Sequence, residues 1–203
     1  MKEKTLSRLG RPSTTSGEEI LAAANELLLE GGEAALSFRK LASKLNLTAP
    51  GIYTYFPSKQ ALLLALVERV LHFDVAVSSS KTPVEKVYSL LSQLRQRLLE
   101  QQHLIFLFNK SIPAASMLNV IEQVASIITI AGVEQGEALR HGQSLLWMVL
   151  GFVIFEVSSH DDQVVAVFTD EEQYEDILTH LDLQQHDRLW EETLERNLLF
   201  LMR

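Results

Sequence analysis

The sequence contains no cysteine, which excludes disulfides, thiolate metal ligands and cysteine nucleophiles together. Positive charge is scarce as well: 18 Lys and Arg stand against 26 Asp and Glu, a balance that taken alone disfavours a polyanion as partner. Nine glycines and five prolines are too few for a loop-rich or low-complexity chain, and they fall between periodic segments. No alternation of apolar and polar residues persists long enough for a strand. The start, Met1-Lys2-Glu3-Lys4, lacks the apolar stretch of a secretory signal, so a cytoplasmic location is expected. The most apolar run, Leu145 to Val157, extends only about 20 Å as a helix against a hydrocarbon layer of roughly 30 Å. It is therefore expected to be a buried helix, with no membrane partner. The six histidines are scattered and no serine lies in a nucleophile-elbow context, so neither an enzyme nor a cofactor is expected. His180, Asp182, His186 and Asp187 straddle a helix boundary and suit a polar turn with its cap better than a metal site.

Helices account for nearly everything that remains. Ser16-Gly17-Glu18-Glu19 has the form of a capping box, and Ile20, Leu21, Ala24, Leu27 and Leu28 follow on one apolar face until Gly31-Gly32 stops the helix. A short helix from Ser37 turns Leu41, Ala42 and Leu45 inward and ends at Asn46, a residue that tolerates the left-handed conformation. Thr48 caps a third helix with Pro50 in its first turn, and Phe56-Pro57 ends it. Ser58 caps a long helix towards Ser78, and Thr82-Pro83-Val84-Glu85 opens another to about Gln102. Residues 78–81 between them are the natural hinge. Further helices are expected from about Ala114 to Ile130 and from about Gly136 to Ser159, with two more starts at Thr169 and Asp182. Charge is uneven along this series: the first 60 residues are slightly basic, whereas the acidic excess lies beyond them. Any nucleic-acid surface therefore belongs to the N-terminal third.

Residues 37–56 read SFRKLASKLNLTAPGIYTYF, a short helix, a tight turn and a second short helix in the pattern of a DNA-binding helix-turn-helix. Leu47 and Ile52 supply its inner side. Ala49, Gly51, Thr54 and Tyr55, small or polar, are left for a major groove. The stretch from Glu18 to Leu64 resembles the N-terminal domain of the tetracycline-repressor (TetR) family. The resemblance is carried by Ile20-Leu21-Ala22-Ala23-Ala24, by Phe38-Arg39-Lys40-Leu41-Ala42 and above all by Ile52-Tyr53-Thr54-Tyr55-Phe56-Pro57-Ser58-Lys59. It implies DNA contacts from Arg39, Thr48, Ala49, Pro50, Gly51, Tyr53, Thr54, Tyr55 and Lys59. In such a protein Tyr53 and Lys59 hold phosphates and Arg39 reaches a base edge, arginine's fork suiting guanine. Asn46 departs from the family's usual glycine.

The fold implied is all-α with about nine to ten helices: a three-helix DNA-binding domain over residues 12–72, then a larger ligand-binding and dimerisation domain over 80–203. Trp147 and Gly151 lie one turn apart in the apolar helix, and a glycine there costs about 1 kcal/mol against alanine unless a neighbour packs closely. With Leu189, Trp190, Leu194, Asn197, Leu198 and Leu201 of the last helix, Gly151 is expected to form a four-helix dimer interface. Phe106, Met117, Trp147 and Phe155, with His103, Asn109, Gln143 and Glu156 as polar groups, are the candidates for a small-molecule site. Together these features point to a homodimeric repressor of a near-palindromic operator, released by an apolar small molecule. A helical interaction adaptor, or a small-molecule-binding protein without direct DNA binding, is the competing expectation.

Overall fold

The computed structural model describes residues 15–72, 82–108, 114–159 and 185–200, and every regular element among them is helical. The chain divides into two compact units, Met1–Leu66 and Val67–Arg203. The expected hinge at 78–81 and the helix starts at Thr169 and Asp182 lie outside the described residues, as do Asn109, His180 and Leu201.

In the first unit, α1 (Gly17–Ala35) starts on the expected capping box: Ser16 Oγ accepts from Glu19 N at 3.2 Å and Ser16 N donates to the Glu19 carboxylate at 3.1 Å. Ile20, Leu21, Ala23, Ala24, Leu27 and Leu28 form its buried face. The regular helix breaks where two glycines were expected to stop it. Gly32 adopts φ 60°, and the last turn resumes beyond the kink, with Leu36 N donating to Glu33 O. Helix α2 (Phe38–Lys44), capped by Ser37, buries Phe38, Leu41 and Ala42. Helix α3 (Ala49–Tyr53) is capped by Thr48, whose hydroxyl oxygen accepts from Gly51 N at 3.3 Å. Five residues hold no helix by themselves. The burial of Ile52, worth about 1.5–3 kcal/mol, and the Thr48 cap, worth about 1 kcal/mol, hold this one in place. Helix α4 (Lys59–Leu71) begins on Ser58, whose Oγ accepts from Ala61 N at 3.1 Å. Leu62 and Leu66 are buried in it, and the helix continues past Leu66 into the second unit.

The second unit is built on α5 (Pro83–Glu100), α7 (Ala114–Ile130) and α8 (Gln135–Ser159), which pack on one another, with α9 (His186–Phe200) against α5. A 3-10 turn and the four-residue α6 (Ile105–Phe108) join α5 to the segment before α7. Thr82 and Glu85 make the expected capping box at α5. Helices α7 and α8 approach closely at Gly142, where an added Cβ would lie 2.7 Å from the carbonyl oxygen of Ile121. Helix α8 matches the extent expected from about Gly136 to Ser159 and at 25 residues has the length and hydropathy to cross a membrane. Its buried face against α5 and α7, and the ion pair it contributes to the core, account for that composition as a packed helix.

That ion pair is the main polar feature of the unit. Arg95 of α5, 8% exposed, donates from Nε and Nη2 to both oxygens of Glu156 in α8, 6% exposed, at 3.1 and 2.8 Å. Its Nη2 also donates to Asp187 of α9 at 2.7 Å. The guanidinium lies 5.8 Å from the Phe152 ring centre and 5.5 Å from that of Trp190, so one cation ties three helices together.

Candidate nucleic-acid interface

The helix-turn-helix is assembled from its turn outward. Asn46 takes φ 54°, the one non-glycine residue at positive φ among those described, and Leu47 N then donates to Ala42 O at 2.8 Å to close the end of α2. With Ile52 buried, α3 is left with Thr48, Pro50, Tyr53 and Thr54 exposed and Ala49 and Gly51 half-buried. Arg39 of α2 is exposed as well. The Tyr53 ring meets the buried Phe38 ring edge-on with centres 4.7 Å apart, which fixes its direction while the residue stays exposed. The Thr54 hydroxyl donates to Gly51 O at 2.7 Å, leaving its oxygen able to accept. Tyr55 is exposed on its ring but donates its hydroxyl to Thr15 O, so it anchors the segment entering α1.

The lysines of this unit are unequal. Lys44 lies 2.9 Å from Glu26 and 3.1 Å from Glu30, and those hydrogen bonds raise its pKa. Lys59 Nζ donates to Glu33 O at 3.0 Å, with the Glu33 carboxylate 3.9 Å away. Lys59 is therefore held at the last turn of α1, with part of its donor capacity already used. Arg39 and Lys40 are exposed and enter no ion pair among the described residues. Thr15, which orients Tyr55, was not singled out from sequence, and Phe38, which orients Tyr53, was named only within the run that carries the resemblance. Phe38 follows the Ser37 cap directly, and an aromatic there is a recoverable signal; the Thr15 carbonyl offers none.

The ligand and dimer candidates are redistributed. Glu156 accepts both bonds from Arg95. Trp147 and Phe155 are 58% and 50% exposed and Gln143 is exposed too. His103, Phe106 and Met117 are half-buried, and burial lowers the pKa of His103. Among the interface candidates, Trp190, Leu194 and Leu198 turn into their own subunit, Trp190 packing edge-on against Phe152 at 5.4 Å. The α9 stripe was found by its period, but its buried positions face α5. Gly151, Leu189 and Asn197 stay exposed, and a Cβ at Gly151 would meet nothing within 4 Å. Trp147, Gly151 and Phe155, spaced one turn apart, thus form an outward apolar face on α8. A cavity of about 640 Å³ lies elsewhere, along α5 and α9, lined by Val84, Tyr88, Ser89, Ser92, Gln96 and Glu195 among others. Burial, with Glu191 and Glu195 nearby, raises the pKa of the Tyr88 phenol there. None of the eight ligand candidates lines it.

Comparison with known proteins bears on both units. Residues 20–66 match the family described as bacterial regulatory proteins, tetR family. Over 146 residues the chain is 27% identical to the tetracycline repressor protein class A from transposon 1721 of Escherichia coli, covering 70% of this chain and 68% of that one. BioQ of Mycobacterium smegmatis, in a crystal structure with its double-stranded DNA operator, superimposes with a TM-score of 0.60 at 22% identity, over 91% of this chain and 98% of BioQ. ActR of Streptomyces coelicolor, in complex with actinorhodin, gives 0.73 at 20% identity, over 93% and 97%. At these identities the two structures share the fold.

Proposed function

We propose that this chain is a member of the tetR family of bacterial regulatory proteins and a sequence-specific DNA-binding repressor, a reading supported by the match over residues 20–66. It acts in the cytoplasm as a homodimer and leaves its operator when a small molecule binds. The carrying observation is the α2–α3 unit, in which Ile52 is fully buried behind a face where Arg39, Thr48, Pro50, Tyr53 and Thr54 are exposed. A helix displayed in that way enters a major groove by its outer side. Tyr53 and Lys59 position the protein on phosphates, and Arg39 reads a base edge. Ala49, Pro50 and Gly51, with little side chain to donate hydrogen bonds, suit apolar contact with thymine methyls. No catalytic role is assigned.

Residues 12–72 form the DNA-binding domain in this reading, and 80–203 the domain for ligand and dimer. The outward face of Trp147, Gly151 and Phe155 meets its copy in the partner, where the missing Cβ of Gly151 lets the helices close. Half-buried Phe106 and Met117, with His103 as the polar group, take the apolar ligand. A ligand releases DNA only by preferring the conformation in which the two recognition helices are wrongly spaced, and a coupling of about 1–3 kcal/mol suffices. Helix α4 is the lever, since it carries Lys59 at one end and continues beyond Leu66 at the other.

Two substitutions separate reading from holding. Arg39→Ala relaxes preference at one base pair per half-site, whereas Lys59→Ala weakens specific and random DNA alike and lowers the salt slope by about one unit. The measurement is a salt-dependent titration of both duplexes. Equal losses on the two for Arg39→Ala remove its base-reading role, and no binding to any duplex removes the function.

A further inference from the structure

Two lysines of the first unit meet acidic residues of α1, and they meet them differently. Lys44, at the end of α2, is closed between the carboxylates of Glu26 at 2.9 Å and Glu30 at 3.1 Å, which ties α2 to α1. Lys59, the first residue of α4, is held mainly by backbone. Its Nζ donates to the carbonyl of Glu33 at 3.0 Å, while the carboxylate of the same residue stands off at 3.9 Å. An ammonium has three donor hydrogens, and the carbonyl takes one. The Lys59 side chain is 40% exposed, so the cation stays open to an outside anion. The carbonyl that orients it is neutral, whereas the carboxylate is a rival to any phosphate that Lys59 reaches.

The chain is shaped to present that carbonyl. Regular α1 geometry breaks at Gly31, and Gly32 takes φ 60° with ψ −160°, a region essentially restricted to glycine. Nothing lies within 4 Å of where a Cβ on Gly32 would stand, so backbone conformation alone demands glycine there. Beyond the break the Glu33 oxygen accepts twice, from Leu36 N at 3.3 Å and from Lys59 across 26 positions of sequence. The two lone pairs of one oxygen thus close the last turn of α1 and seat the first residue of α4. Charge is scarce around this point. From Thr15 to Leu66 the chain has four cations, Arg39, Lys40, Lys44 and Lys59, against five carboxylates, so one acid set beside one of the four matters to the whole unit.

We propose that Glu33 sets how strongly the protein holds any duplex: its backbone carbonyl positions the Lys59 ammonium for a phosphate, and its carboxylate competes with that phosphate for the same charge. The inference rests on the DNA-binding reading above and gives the phosphate-holding Lys59 a partner that tunes it. Glu33 is a positioning residue that acts on DNA through Lys59. Its carbonyl removes in advance some of the side-chain freedom that Lys59 loses on gripping a phosphate, which favours the complex. Its carboxylate acts in the opposite sense, since an exposed ion pair shifts an equilibrium by up to about five-fold. Removing the carboxylate while keeping the carbonyl therefore tightens binding, and displacing the carbonyl loosens it.

Phosphate contacts carry no sequence information, so a random-sequence duplex at low salt is a sufficient probe. Fluorescence anisotropy gives its affinity for the full wild-type chain, for Glu33→Gln, Gly32→Ala and Lys59→Ala, and for each of the first two combined with Lys59→Ala. Circular dichroism shows which variants are folded. Glu33→Gln is expected to raise affinity by about two- to five-fold and to add nothing once Lys59 is gone. Gly32→Ala, which shifts the carbonyl, weakens binding in the wild-type background and not in Lys59→Ala; the Glu33→Gln comparison decides alone where Gly32→Ala does not fold. A Glu33→Gln protein that binds as wild type, or more weakly, overturns the competition. An equal gain with and without Lys59 is a general effect of charge and overturns it too. A folded Gly32→Ala protein of wild-type affinity overturns the seating of Lys59 by the carbonyl. In each of these cases the wild-type chain still binds, and the DNA-binding reading stands. A wild-type chain that binds no duplex overturns that reading, and the role of Glu33 with it.

Discussion

Asn46, at φ 54°, turns the chain between α2 and α3 in a conformation that costs most side chains about 1–2 kcal/mol. Asn46→Gly is therefore expected to keep or slightly raise stability, whereas Asn46→Val destabilises by at least about 1 kcal/mol, as read from chemical denaturation. A valine variant as stable as wild type contradicts the account of the turn. Arg95 gives the larger effect. Its removal leaves the Glu156 carboxylate buried without its cation, and Arg95→Ala is expected to cost about 3–5 kcal/mol. Asp187, whose side chain is 88% exposed, bonds the same guanidinium from the rim, so Asp187→Asn costs under about 1 kcal/mol. Equal losses in thermal denaturation contradict this division. Asn46 was legible in the sequence because its role is local. Arg95 was not, because its partners lie 61 and 92 positions away and nothing in the spacing announces them.

Helix limits followed from local chemistry wherever a cap was present. Ser16, Ser37, Thr48 and Thr82 each accept the hydrogen bond their sequence context required, and the helices begin beside them. Which face of a helix turns inward was harder to read. Leu145 to Val157 is apolar almost all round, so periodicity does not separate the buried Leu146, Val149 and Val153 from the exposed Trp147 and Phe155. Neighbouring helices decide that. In α9 the stripe was found, but Trp190, Leu194 and Leu198 are covered by their own chain. Two glycines in α8 test the resulting picture. Gly142→Ala forces a Cβ to within 2.7 Å of Ile121 O and is expected to destabilise by about 1–3 kcal/mol. Gly151→Ala meets nothing in its own chain, so it keeps the fold and gains up to about 1 kcal/mol in helix propensity, while weakening dimerisation. Denaturation together with sedimentation at several concentrations separates the two. A Gly151→Ala protein that dimerises as wild type removes α8 from the interface.

At the scale of the molecule, the all-helical class, the helix-turn-helix and the resemblance to the tetR family were legible because caps, the turn residue and the run from Ile52 to Lys59 are contiguous in sequence. The ligand candidates were less so, since a cavity is made by packing between distant helices. The opening along α5 and α9 borders Tyr88 and Glu195, residues that carry no motif. The charge distribution suits the proposed role, with the acidic excess in the larger unit and the helix-turn-helix in the smaller one. Two such units in a symmetric dimer impose a symmetric footprint, with half-sites separated by about one duplex turn, roughly 34 Å, or a multiple of it. Hydroxyl-radical footprinting of the purified protein on the DNA upstream of its own coding sequence tests this most directly. Two protected half-sites related by a dyad, lost together as salt rises, are the expected result. Protection of a single unpaired half-site, or none at salt low enough to favour binding, contradicts the account of a dimeric DNA-reading regulator.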